Sequence, residues 1–351
     1  MIHGGNVWQG TSPEQWLDYS ANIRPEGPPF WVKKALMGAM DRLAYYPDPT
    51  MKRARQALSD YLGLPADHVL PAAGGISAID MAAHLESTGT LQFTPCFAEY
   101  SMLSANRGKT VENILLLTGI HTIGDPAQQA KDRLFEGCTV WLCNPLNPIG
   151  CAFTKEQIVR LLTRVEEKHG WLVVDEAFIE YCPEHSVVTL IKDHERLIIT
   201  GSMTKILGIP GVRLGYLCAQ PQVLDALGKY QLTWEVSCFA EAVLCAMNEH
   251  RADMQVCSKI NAIRRAHLRV GLEKLGIYVY PSEAAFVLAD FGKPVDRLTE
   301  KLKEKRILVR QCMNFEGVDD GRHLRLAVKD EESNQKLIEA IREEMICAEN
   351  L

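Results

Sequence analysis

The 351-residue chain has no Cys-x-x-Cys pair, no His-Glu-x-x-His motif and no Cys/His cluster at zinc-finger spacing. These gaps remove the usual signatures of a zinc site, and no metal is expected. Its eleven cysteines are scattered and odd in number. That fits buried free thiols in a reducing compartment rather than a disulfide framework. No apolar stretch reaches about 18 residues, so no membrane span is expected. The opening MIHGGNVWQG lacks a charged n-region and an apolar h-region, so it does not read as a signal peptide. A cytoplasmic protein is the expectation. Positive charge is not in excess: 38 Lys and Arg face 44 Asp and Glu, a net −6. That argues against a nucleic-acid surface and leaves room for a local basic pocket. Internal repeats, low-complexity tracts and long linkers are also missing.

What is present is ordinary for a globular chain: 47% apolar and 23% charged residues. At roughly 100–200 residues per domain, the length suggests two domains or one large and one small. The middle of the chain alternates short β-branched runs with helix-length amphipathic segments. Strands are expected at Thr90–Phe93, Asn113–Leu117, Thr139–Leu142, Leu172–Val174, Leu197–Thr200 and Leu214–Cys218. Helices are expected between them, at Ser77–Leu85, Phe97–Asn106, Asp125–Phe135, Lys155–Lys168 and His185–Lys192. This pattern predicts an α/β domain with a mostly parallel sheet over 45–252. A long helix near Asp253–Leu275 leads into a smaller α+β domain, 253–351, with strands near Val279–Pro281, Ala285–Asp290, Leu308–Arg310 and His323–Ala327. The Pro- and Gly-rich segment 1–44 is expected to pack on the smaller domain or reach a partner subunit.

Four stretches carry chemistry. In Gly201-Ser-Met-Thr-Lys-Ile-Leu-Gly-Ile-Pro-Gly-Val-Arg-Leu-Gly215, Lys205 follows an apolar strand. Burying an ammonium is costly, so this lysine is paired, exposed, or used as an amine with a lowered pKa. Ser202, Thr204 and Arg213 beside it could bind one phosphate. In Trp171-Leu-Val-Val-Asp-Glu-Ala-Phe-Ile-Glu-Tyr181, Asp175 ends a continuous apolar strand, where ligands bind in open α/β sheets. It either meets a cationic ligand group or caps the next helix. Asn144-Pro-Leu-Asn-Pro-Ile-Gly150 is either a rigid loop presenting Asn side chains or a plain turn. Ala72-Ala-Gly-Gly-Ile-Ser77 puts two glycines before a helix, an arrangement suited to anions or to an ordinary turn.

In this order, with an aromatic at Phe97 between the glycine turn and the Asn-Pro loop, the motifs resemble the class I/II aminotransferases along nearly the whole chain. The resemblance implies a fold type I enzyme using pyridoxal 5′-phosphate (PLP), with a large mostly parallel domain and a smaller α+β domain. It implies that Lys205 forms the Schiff base with PLP and that Asp175 pairs with the protonated pyridine nitrogen. By the same resemblance, Asn147 bonds the ring hydroxyl and Phe97 stacks on the ring. Gly75, Ile76, Ser202, Thr204 and Arg213 form the phosphate cup. Arg325 grips the substrate carboxylate. Tyr46, in Tyr45-Tyr-Pro-Asp-Pro49, reaches the phosphate of a second subunit's PLP, which implies a homodimer with shared sites. Phe178 stands where many members carry Tyr.

Several stretches resemble the threonine-phosphate decarboxylase branch more closely: His3-Gly-Gly-Asn6, Leu17-Asp-Tyr-Ser-Ala-Asn-Ile-Arg-Pro25, Thr94-Pro-Cys-Phe-Ala-Glu-Tyr100 and Val309-Arg-Gln-Cys-Met-Asn-Phe-Glu-Gly317. This implies a phosphorylated amino acid as substrate, decarboxylated in cobalamin biosynthesis. His3 and Asn22 would help bind its phosphate, and Arg310 and Arg325 would hold its carboxylate or phosphate end. Arg24 replaces the branch's more usual Asn. The alternative is an aminotransferase acting on histidinol phosphate or a similar substrate.

Overall fold

The computed structural model describes residues 3–8 and 12–349. Thirteen strands are found among them: β1 (Leu17–Asp18), β2 (Val69–Ala72), β3 (Thr90–Thr94), β4 (Val111–Leu115), β5 (Thr139–Cys143), β6 (Trp171–Glu176), β7 (Leu197–Ser202), β8 (Gly215–Cys218), β9 (Tyr278–Val279), β10 (Phe286–Asp290), β11 (Ile307–Leu308), β12 (Arg310–Gln311) and β13 (His323–Ala327). Seven form one sheet in the order β2-β8-β7-β6-β5-β3-β4. Every pair in it is parallel except those made by β8, which runs antiparallel to β2 and β7.

The central strands are buried on both faces, which is why they read as unbroken apolar runs. Leu172, Val173 and Val174 of β6 are fully buried, as are Leu197, Ile198 and Ile199 of β7. Each such side chain contributes about 1.5–3 kcal/mol through burial. Helices cover both faces. Lys155–Glu166 begins at Thr154 with a full capping box to Gln157 and buries Ile158, Leu161, Leu162 and Val165 along one stripe.

Two expectations are corrected, and one strand is added. The helix expected over Asp125–Phe135 is only one turn, Pro126–Gln129. Beyond the buried Ala130 come Lys131, Asp132 and Arg133, which offer no apolar face to continue it. The helix expected at His185–Lys192 is two 3-10 turns, Pro183–His185 and Val188–Lys192. Between them the buried Glu176 carboxylate accepts from the Val187 N–H and the Ser186 hydroxyl, both at 2.7 Å, and diverts the backbone from a helical ladder. Strand β2 escaped the sequence reading. It contains Pro71, which a strand tolerates at a sheet edge, and β2 is that edge.

The C-terminal part holds a four-stranded antiparallel sheet, β12-β13-β10-β9, with its own apolar core around Leu268, Leu272, Leu324, Leu326 and Ile341. The N-terminal segment joins it: β1 pairs in parallel with β11, and Tyr19 is fully buried in that same core. The Tyr19 N–H donates to the Leu308 carbonyl at 2.7 Å, and its carbonyl accepts from the Ala327 N–H at 3.0 Å. Trp31 and Val32, by contrast, belong to the core under the large sheet. The segment between them carries Ser20, Ala21 and Asn22 past the carboxyl ends of β5, β6 and β7.

Candidate active site

A cavity of about 630 Å³ opens at that edge. His3, Asn22, Gly75, Ile76, Phe97, Asn147, Asp175, Ser202, Lys205, Arg213, Arg310 and Arg325 all line it. Thr204 lies just behind its wall. Tyr46 is not brought in: its side chain is 79% exposed and stacks on Trp234 at 4.5 Å.

Lys205 occupies the turn that leaves β7. Its Nζ donates to Thr204 Oγ1 at 3.1 Å and to Ser202 Oγ at 3.3 Å. Its pKa is lowered from 10.5 to about 8: burial is the main cause, Asp175 partly opposes it, and Arg213 and Arg325 add to the lowering. A proton is therefore far easier to remove here than from a surface lysine. Phe178 lies 5.8 Å from Nζ, ring to cation, and offers no hydroxyl there.

Asp175 is the penultimate residue of β6, one step from the strand's end. Its carboxylate accepts from the Tyr100 hydroxyl, from Thr200 Oγ1 at 3.2 Å and from the Ala177 N–H at 3.1 Å. Burial pushes its pKa up; Tyr100, Lys205 and Thr200 pull it back. All three hydrogen-bond donors are neutral, so the buried carboxylate still favours a cation beside it. Asn147 turns Oδ1 to Arg325 Nη1 at 2.7 Å, which leaves its amide N–H group for another acceptor. Asn144 serves the loop instead. It accepts from the Phe153 N–H at 2.8 Å and donates to the His185 carbonyl at 3.2 Å, and so holds the backbone in place.

A cradle lies beside Lys205. Gly74 has φ +87° and caps the helix Gly75–Ala82, whose N-terminal residues Gly75 and Ile76 line the cavity. A Cβ on Gly74 would stand 2.5 Å from Arg213 Nη2, so a larger residue there would push the guanidinium aside, and its φ is one that other residues rarely adopt. Arg213 itself has φ +60°, a conformation costly for a side-chain-bearing residue and typical of functional sites. Helix N–H groups, two hydroxyls and a guanidinium together suit an anion.

The opposite wall is cationic. Arg310 and Arg325 face each other across β12 and β13. Both are buried, and burial lowers both pKa values, that of Arg325 to about 10 with Arg310 contributing. Like charges directly opposite on adjacent strands repel. Arg310 is held by Asn314 Oδ1 at 2.5 Å and the Gln311 carbonyl at 3.0 Å; Arg325 is held by Asn147 and by the Ser20 carbonyl at 2.8 Å. None of these acceptors carries a charge. Arg325 Nε and Asn22 Oδ1 are buried and reach no hydrogen-bond partner among the described residues. Arg24 points away: its Nη1 meets Asp253 at 2.9 Å, while its backbone N–H ties the arm to the Lys205 carbonyl at 3.1 Å.

Sequence reasoning gave no role to Tyr100, Thr200, Ser20 or Glu99. Tyr100 stands one helical turn after Phe97, and that i,i+3 spacing was the available signal.

The cavity suits PLP: a lysine of lowered pKa, a buried carboxylate short of a cation, and an anion cradle line one space. A model of aminotransferase class I and II matches residues 14–341. The threonine-phosphate decarboxylase of Salmonella typhimurium is 30% identical, over 97% of this chain and 95% of its own. The structure of histidinol-phosphate aminotransferase from Clostridium acetobutylicum superposes with a TM-score of 0.86 at 28% identity, covering 95% of this chain and 99% of that one. The histidinol-phosphate aminotransferase of Sinorhizobium meliloti, solved with PLP, has the same fold, with a TM-score of 0.81 at 20% identity over 92% of this chain and 89% of that one. PLP is the cofactor, the fold is α/β of type I, and the chain belongs to the class I and II aminotransferases.

Proposed function

We propose that the enzyme removes carbon dioxide from a phosphorylated amino acid, L-threonine O-3-phosphate, and releases (R)-1-amino-2-propanol phosphate, the step expected in cobalamin biosynthesis. The observation that carries this reading is the facing pair Arg310 and Arg325, buried with uncharged partners. A substrate with a carboxylate and a phosphate relieves their mutual repulsion, and His3 and Asn22 line the same cavity. The 30% identity to a threonine-phosphate decarboxylase supports the choice.

When bound, PLP supplies an electron sink for the pair left on Cα. The chain's own residues do the rest. Lys205 holds the cofactor through its amine. Asp175 pairs with the ring nitrogen, Asn147 donates to the ring hydroxyl, and Phe97 covers a face of the ring. Gly75, Ile76, Ser202, Thr204 and Arg213 hold the cofactor phosphate. Arg325 and Arg310 orient the substrate by forked hydrogen bonds to its anionic ends. Loss of CO2 leaves an electron pair on Cα, and Lys205 Nζ, no longer bonded to the cofactor at that stage, or water beside it, would supply the proton that fills it. Whether the Cα–carboxylate or the Cα–H bond breaks depends on substrate orientation, a matter of about an ångström.

Tyr46 serves the site of a second copy in this reading. Tyr45, Tyr46, Phe30 and Leu232 are strongly exposed, an apolar surface that suits a homodimer. All eleven cysteines are free thiols, which suits the cytoplasm. Among the described residues, no helix is long and apolar enough to cross a membrane.

The structural likeness to a histidinol-phosphate aminotransferase favours amino transfer as the second reading. Parallel incubations decide between them. CO2 and an amino-alcohol phosphate from threonine phosphate are expected. Turnover only of histidinol phosphate with 2-oxoglutarate, without CO2, overturns the decarboxylase reading.

A further inference from the structure

The arm His3–Trp8 forms one wall of the cavity, and its sequence is explained by how it is fastened. Gly4 and Gly5 clamp it to Ser20. A Cβ on Gly4 would sit 2.0 Å from the Ser20 carbonyl oxygen, so only glycine allows that approach. Gly5 has φ +81°, and its N–H donates to Ser20 Oγ at 2.8 Å. The Ser20 hydroxyl in turn donates to Asp18 at 2.6 Å, and its carbonyl accepts from Arg325. The clamp is therefore continuous with an arginine of the anion wall.

Beside that clamp, His3 Nε2 lies 3.1 Å from Glu99 Oε1. The His3 ring packs against Phe97 with centroids 6.0 Å apart. The Glu99 side chain is 9% exposed and that of His3 46%. A carboxylate that deep is costly unless it is paired. Nε2 is the ring atom that faces this carboxylate. Glu99 stays behind the wall, whereas His3 and Phe97 reach the cavity. An anionic ligand thus meets the imidazole and not the carboxylate.

We propose that Glu99 is a positioning residue: it fixes His3 through Nε2 on the wall that receives the substrate's phosphate, and it latches the arm to the body of the enzyme. This deepens the decarboxylase reading and rests on its phosphorylated substrate. The Gly4–Ser20 clamp sets where the arm runs, and the neighbouring Glu99–His3 pair sets which way the imidazole faces.

The test uses holoenzyme variants Glu99→Ala, Glu99→Gln, His3→Ala, Gly4→Ala and the His3→Ala/Glu99→Ala double. Losing this contact with a buried carboxylate is expected to raise KM for threonine phosphate about tenfold, with kcat falling less than about threefold. The double variant should be no worse than the worse single, because both remove one interaction. Gly4→Ala should reproduce the KM rise without touching either charge. Glu99→Gln keeps the side-chain shape, guards against misfolding of the alanine variant, and should fall between wild type and Glu99→Ala. Additive effects in the double, or unchanged KM in both Glu99 variants, overturn the proposal. A second readout needs no turnover: the nitrogen NMR spectrum of the His3 ring should differ between wild type and Glu99→Gln. An identical His3 spectrum there also overturns it. If wild type releases no CO2 from threonine phosphate, the decarboxylase reading fails while the ring spectrum still judges the latch.

Discussion

Replacing Tyr100 by Phe removes one oxygen and leaves the packing intact. The ring is fully buried, stacks on Trp141 at 4.9 Å and meets Phe97 edge-on at 5.9 Å. What disappears is the hydroxyl that donates to Asp175 Oδ2. Thr200 and the Ala177 N–H still serve Oδ1, but Oδ2 loses its donor. A hydrogen bond to a charged group is worth about 1.5–3 kcal/mol. If the reaction uses the Asp175 charge, kcat/KM falls roughly tenfold to a hundredfold. The pH dependence follows in sign. Burial already holds this carboxyl above its usual range, and the Tyr100 bond is the largest influence pulling it down. Without that bond the group takes up its proton at higher pH, so the acid limb of kcat/KM moves to higher pH. The assay is kcat/KM against pH for wild type and variant, with thermal unfolding alongside. Unchanged kcat/KM with an unmoved acid limb refutes the role given to Asp175.

Other perturbations have equally definite outcomes. Lys205→Met should stabilise the cofactor-free protein by up to about 3 kcal/mol below pH 8, as read by urea unfolding. The native pKa of about 8 lies below 10.5, so the native state bears the cost of the buried ammonium. Wild type recovers it as pH rises from 8 to 10.5, and the difference should vanish there. Gly201→Ala places a Cβ 2.1 Å from the buried Tyr216 ring; overpacking of about 1–3 kcal/mol or more should lower the melting temperature. Arg325→Lys keeps the charge but cannot reach both Asn147 and the Ser20 carbonyl with a rigid fork. KM for threonine phosphate should rise at least tenfold by steady-state assay. Thr154→Ala removes the capping box of Lys155–Glu166 and should cost about 1 kcal/mol in urea unfolding, with activity retained.

The sequence revealed elements whose burial is uniform and residues that sit next to them. Strands β5, β6 and β7 announce themselves because both faces are covered. Asp175, Ser202 and Lys205 could be read because they lie at or just beyond those strands' ends. Strand β2 was hidden by Pro71, whose edge position only the assembled sheet reveals. The expected helix after Asp125 failed because amphipathic spacing does not say whether a face finds something to bury against. Tyr100 and Glu99 stand within one recognisable motif, yet nothing in it assigns them a role. Their partners, Asp175 and His3, are remote in sequence, and only the fold brings them together. Arg24 looked like a change within the site; its guanidinium instead meets Asp253 and leaves the cavity to Asn22. Tyr46 is the converse: the resemblance assigns it to a cofactor, and within one chain it stacks on Trp234 outside the cavity.

In the proposed chemistry Lys205 is the amine that holds the cofactor, and the role proposed for every other site residue depends on it. Borohydride reduction of the holoenzyme, followed by peptide mass mapping, tests this directly. The added mass of the reduced cofactor should fall on the peptide containing Lys205. The same mass on another lysine, with Lys205 unmodified, contradicts it.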